Sequence, residues 1–102
     1  MKKFYIQTFG CQMNVYDSEK VSAMLIGDGW SEAAEPEDAE LIIVNTCSVR
    51  EKPLQKVFSF TGRFIEQKER NNTKIFVMGC VAQQLGNEII AKAPYIDAVF
   101  GP

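Results

Sequence analysis

The sequence contains no histidine. That removes the commonest general base and a common zinc ligand, so any metal centre in this chain is built mainly from thiolate. Cysteine is scarce as well, with three residues in 102 and no C-x-x-C pair among them. A small, odd number of widely separated cysteines makes a poor disulfide framework. No apolar run is long enough to cross a membrane. The opening Met1-Lys-Lys-Phe-Tyr-Ile-Gln-Thr lacks the apolar stretch of a secretory signal. These absences point to the cytoplasm, where thiols stay reduced. Positive charge is not in surplus either: 11 Lys and Arg stand against 13 Asp and Glu, a net charge of -2. That balance argues against this segment being the main grip on a nucleic acid. Lys52, Lys56, Arg63, Lys68 and Arg70 are the residues from which a local basic patch would be made.

What is present is an ordinary globular composition, 46% hydrophobic and 24% charged, in one domain spanning residues 1–102. Short apolar stretches at residues 4–9, 41–44, 74–78 and 96–100 read as strands. Helical patterns alternate with them. Asp17-Ser18-Glu19 reads as a capped, acidic first turn, followed by Val21, Met24 and Leu25 and ended by Gly27 and Gly29. Residues 32–38 are acidic, contain Pro36 and read as a loop. Pro53 suits the first turn of a second helix, with Leu54, Val57, Phe58, Phe64 and Ile65 on one face and Asn71-Asn72 as its stop. Residues 81–93 read as a weaker helix ended by Pro94. The unbroken run Leu41-Ile42-Ile43-Val44 calls for cover on both faces, as in a parallel sheet. The expected fold is α/β: three layers, about four mainly parallel strands and helices on both faces, flavodoxin- or Rossmann-like.

Each cysteine stands just after one of these strands: Cys11 after the first, Cys47 after the second, Cys80 after the third. Parallel strands end on a common edge, and neighbours lie about 4.8 Å apart, so three thiols far apart in sequence can converge there. It is the edge at which open α/β sheets bind ligands. Gly10 and Gly79 precede two of the cysteines and permit sharp turns close to a bulky ligand. Gln12, Asn14, Asn45, Thr46 and Ser48 are placed to donate hydrogen bonds to cluster sulfurs. Structural zinc wants four Cys or His ligands at close local spacing, which this chain does not offer. Three thiolates suit a four-iron–four-sulfur cluster with one iron left open. The competing reading of any single cysteine is a small buried hydrophobe.

Other residues have plainer readings. Asp17 and Glu19 serve a helix terminus rather than acid–base chemistry. Phe58, Phe60 and Phe64 pack in a core rather than stack on bases. Met13 fills an apolar gap beside Cys11. Arg50 is balanced between a phosphate contact and a solvated surface role.

Three stretches resemble the motifs of the methylthiotransferase family. Gly10-Cys11-Gln12-Met13-Asn14 with Tyr16-Asp17-Ser18-Glu19 is similar to the first, Asn45-Thr46-Cys47-Ser48-Val49-Arg50-Glu51-Lys52 to the second, and Gly79-Cys80-Val81-Ala82-Gln83 to the third. Residues 96–101 resemble the end of that family's N-terminal domain, so the likeness covers essentially the whole chain. Within the family, Gln12-Met13-Asn14 and Ser48-Val49-Arg50 look most like the MiaB branch, which acts on an isopentenylated adenosine beside the tRNA anticodon.

The resemblance implies an auxiliary cluster on Cys11, Cys47 and Cys80, with Gln83 joining the residues around it. It also implies a second four-iron–four-sulfur cluster and S-adenosylmethionine in a radical domain, and tRNA as substrate of the full-length enzyme. The radical domain's C-x-x-x-C-x-x-C and a C-terminal RNA-binding domain are absent from this chain, which is therefore expected to be inactive by itself. Two rival readings stand beside this one. The first is a flavodoxin-like module for a nucleotide or flavin, though no glycine-rich phosphate loop follows the first strand. The second is a docking module whose cysteines are structural.

Overall fold

The computed structural model describes residues 2–9, 12–46, 53–79 and 87–100. Five parallel strands form one sheet: β1 (Lys3–Thr8), β2 (Ser31–Glu32), β3 (Leu41–Thr46), β4 (Lys74–Gly79) and β5 (Ala98–Phe100), in the order β2-β1-β3-β4-β5. Helices α1 (Gln12–Gly27), α2 (Pro53–Gly62) and α3 (Ile65–Asn71) and a helical segment at residues 87–92 connect them. The α/β architecture is the expected one. The fifth strand is an addition: Ser31 and Glu32 pair with Lys3 and Phe4 at an edge, where an acidic loop was expected. Two exposed residues carry no apolar signal, so only the pairing reveals them.

Every residue of β3 is buried, which accounts for its continuous apolar run. Its alternate side chains enter two separate cores. Ile42 and Val44 join Ile75 and Val77 of β4 on one face, closed by Val57 and Phe60 of α2, by Phe64 and by Ile89. Leu41 and Ile43 join Phe4 on the other face, packed against Val21 and Leu25 of α1.

Local sequence explains the helix ends. α1 stops where Gly29 takes a φ of 97° and Trp30 N–H bonds back to the Leu25 carbonyl at 2.9 Å. The single helix expected between Pro53 and Asn72 is two. Gly62 weakens it, Thr61 Oγ1 donates to the Val57 carbonyl at 2.8 Å, and Phe64 N–H bonds to the Thr61 carbonyl at 3.0 Å, tightening the chain into a turn. α3 then ends on Asn72 in the left-handed conformation, φ 57°, its N–H on the Lys68 carbonyl.

Candidate functional site

The strand order places β2 on one side of β1 and β3, β4 and β5 on the other, so the direction of winding reverses between β1 and β3. Open α/β sheets bind ligands beyond the carboxyl ends of the strands at such a reversal. β1, β3 and β4 are consecutive neighbours, so their ends lie within two strand spacings, about 10 Å. These are the three strands that the cysteines follow. Thr46 is in register with Gly79, and Cys47 and Cys80 are the next residues of each strand's chain. Thr8 is in register with Asn45, two short of Cys47, and Cys11 comes three residues after Thr8. The thiols themselves lie outside the described residues, as do Ser48 and Gln83. Gln12 and Asn14 fall in the first turn of α1, with side chains outside those described. Among the described residues no three Cys, Asp or Glu side chains gather as a metal site.

Beneath this rim lies a buried polar knot. Asn45 and Thr46 are completely enclosed at the end of β3. Asn45 Nδ2 donates to Ser18 Oγ at 3.0 Å, and Ser18 Oγ shares a 2.7 Å hydrogen bond with Thr8 Oγ1. One hydroxyl on α1 thus ties the helix to the ends of both β1 and β3. The main chain adds to the closure, with Phe9 N–H on the Asn45 carbonyl at 2.7 Å. The knot sets how far the N-terminus of α1, which directly follows Cys11, stands from the sheet.

Gly79 completes the rim on the β4 side. Its φ is 111°, and a Cβ there would lie 2.0 Å from the Thr46 carbonyl oxygen and 3.1 Å from Asn45 Oδ1. Only glycine lets the ends of β3 and β4 approach so closely immediately before Cys47 and Cys80.

Asp17-Ser18-Glu19 does not cap the helix. α1 begins at Gln12, which puts these residues in its second turn, with no acidic residue in the first. No glycine or proline interrupts the chain between Cys11 and Gly27, so the helix extends back to Gln12. Ser18 was misread for the same reason. The signal that finds it is spacing: 18, 21 and 25 share one helical face, and Val21 and Leu25 already mark that face as buried. Thr8 was also missed.

Part of the expected basic patch is engaged elsewhere. Lys68 pairs with Asp97, whose carboxylate also accepts from Ile75 N–H at 2.8 Å. Arg63 faces Glu37 at 3.6 Å and stands over the rings of Phe60 and Phe64. Lys52 and the side chain of Lys56 lie outside the described residues. Phe60 and Phe64 are core residues, as expected.

The chain matches the model of the uncharacterized protein family UPF0004 over residues 3–101. It belongs to that family. The UPF0004 domain is the N-terminal domain of methylthiotransferases. The present domain is 57% identical over 100 residues to the tRNA-2-methylthio-N(6)-dimethylallyladenosine synthase of Sulfurihydrogenibium sp., covering 97% of this chain and 23% of that protein. It is 56% identical over 102 residues to the enzyme of the same name from Delftia acidovorans, covering 99% and 23%. For the Geobacter metallireducens enzyme of that name the identity is 52% over 100 residues, covering 98% and 23%. The UPF0004 domain described here therefore spans about a quarter of the length of these relatives. No helix among the described residues is long and apolar enough to cross a membrane.

Proposed function

We propose that the carboxyl rim of this sheet holds a four-iron–four-sulfur cluster through Cys11, Cys47 and Cys80, leaving one iron without a protein ligand. In the full-length protein the domain would be the auxiliary part of a cytoplasmic, radical S-adenosylmethionine tRNA methylthiotransferase. That enzyme adds a methylthio group to C2 of isopentenyl-adenosine beside the anticodon. The observation that carries this reading is that the three cysteines follow the ends of three consecutive sheet neighbours. The donor set fits an iron–sulfur centre, being thiolate without histidine. Gly79 fits it too, as a place where two strand ends come together without side-chain bulk.

When bound, such a cluster supplies a redox-active metal centre with one exchangeable position for a sulfur ligand. The chain's own residues prepare the rim. Ser18, Thr8 and Asn45 pin α1 against the strand ends. Asn45 and Thr46 exclude water from the end of β3 by filling it. A second cluster, S-adenosylmethionine and most of the tRNA contact belong in this reading to regions outside the chain, so the isolated domain performs no methylthiolation.

The test is anaerobic reconstitution of the full-length protein with iron and sulfide. Cys11→Ala, Cys47→Ala and Cys80→Ala should each lower bound iron by about four atoms per chain and weaken the broad visible absorption. Unchanged iron content in all three variants removes the proposal.

The strand order supports one alternative, since flavodoxin-like sheets of the order 2-1-3-4-5 seat a flavin at this reversal point. Flavin copurifying in stoichiometric amount with the full-length protein would favour that reading.

A further inference from the structure

The two faces of the sheet are unequally covered. On the face that carries Ile42, Val44, Ile75 and Val77, α2, Phe64 and the helical segment at 87–92 close the core completely. On the opposite face α1 is the one helix among the described residues, and it lies mainly over β1, β2 and β3. Phe76 and Met78 of β4 are half-buried, while their neighbours Ile75 and Val77 are sealed. Phe100 of β5 is 50% exposed. The result is an apolar trough of about 300 Å3. Val21 and Leu25 of α1 line one side of it, and Ile43, Phe76, Met78 and Phe100 of the sheet line the other.

The occupant follows from length, direction and space. The relatives are more than four times as long as the region they share with this chain. β5 ends at Phe100, which itself lines the trough, so a chain continuing from β5 starts beside it. β5 runs parallel to the other strands, so a compact continuation turns back across one face of the sheet. The α2 face is filled. On the α1 face, β4 and β5 lie one and two strand spacings beyond β3, about 10 Å of width with no helix over it among the described residues, which matches the diameter of one helix. The trough presents no polar atom, so what lies in it offers an apolar stripe.

We propose that the polypeptide following Pro102 in the full-length protein forms an amphipathic helix that lies in this trough, beside α1 and antiparallel to β4 and β5. This assignment is independent of what the strand rim binds. A short connection and a helix of three to four turns place the contact within about 30 residues of Pro102.

The experiment uses full-length protein with p-benzoylphenylalanine in place of Phe100 and, in a second variant, in place of Phe76. After irradiation and digestion, both positions are expected to yield a cross-link to a peptide of the same chain within those 30 residues. Cross-links to a distant region of the polypeptide, to a second copy or to another macromolecule overturn the proposal. So does the absence of any cross-link from both positions. Because Phe100 sits half in solvent, its variant is read even if the Phe76 variant fails to fold.

Discussion

Asn45 and Ser18 stand 27 residues apart in sequence and 3.0 Å apart in space, amide donating to hydroxyl. The bond joins the end of a buried strand to the second turn of the helix that follows the first cysteine. It converts a sheet edge into a rim of defined shape, because α1 can no longer slide along β1 and β3.

Asn45→Ala removes that donor and opens a void at a fully enclosed position. The expected loss is about 1–3 kcal/mol of unfolding free energy, read from the urea midpoint. Ser18→Ala should cost a similar amount. Since both residues serve one knot, the double variant should lose less than the two single losses together, by about 0.5–3 kcal/mol. Strict additivity would show that the two residues do not act as a unit.

Gly79→Ala adds a methyl group 2.0 Å from the Thr46 carbonyl oxygen at a φ of 111°. About 1–3 kcal/mol should be lost from the backbone conformation alone, with further loss as the strand ends separate. Gly62→Ala is the control. Nothing lies near its Cβ, and it sits inside the last turn of α2, so it should be neutral or stabilise by up to about 1 kcal/mol. Equal melting temperatures for the two variants would contradict the close approach at Gly79.

Asp97→Ala and Glu37→Ala both break an ion pair, with different consequences. The side chain of Asp97 is 25% exposed and serves Lys68 and Ile75 N–H together. Its loss should cost about 1.5–3 kcal/mol. Glu37 and Arg63 are 55% and 60% exposed, and their pair should contribute no more than about 0.5 kcal/mol. Chemical denaturation of both variants side by side checks the ordering.

Phe64 is 1% exposed, and its ring meets that of Phe60 edge-on at 5.0 Å. Phe64→Ala should lose about 3–5 kcal/mol, and Phe64→Leu distinctly less. A loss under about 0.5 kcal/mol for Phe64→Ala would place this ring outside the core and return it to consideration as a stacking surface.

Much of this was readable before any tertiary structure. The strands at residues 41–44 and 74–78 announce themselves by apolar runs, and Asn72 and Gly29 by their tolerance of positive φ. The placement of each cysteine after a strand is equally plain, as are the motifs resembling the methylthiotransferases. Periodicity and turn chemistry are local properties, and they determine where elements lie along a chain. Which strands become neighbours is a matter of hydrogen-bond ladders between distant segments. Only the folded sheet moves β2 outside β1 and so brings β1, β3 and β4 side by side. Only packing turns Ser18 from an apparent cap into the buried hydroxyl that joins them, and only packing leaves, among the described residues, an apolar trough on one sheet face. The sequence alone determined where the three cysteines fall and the α/β alternation. The tertiary structure decided that the strands carrying them share one edge, because adjacency in a parallel sheet depends on crossover direction and edge pairing, which no short window of residues encodes.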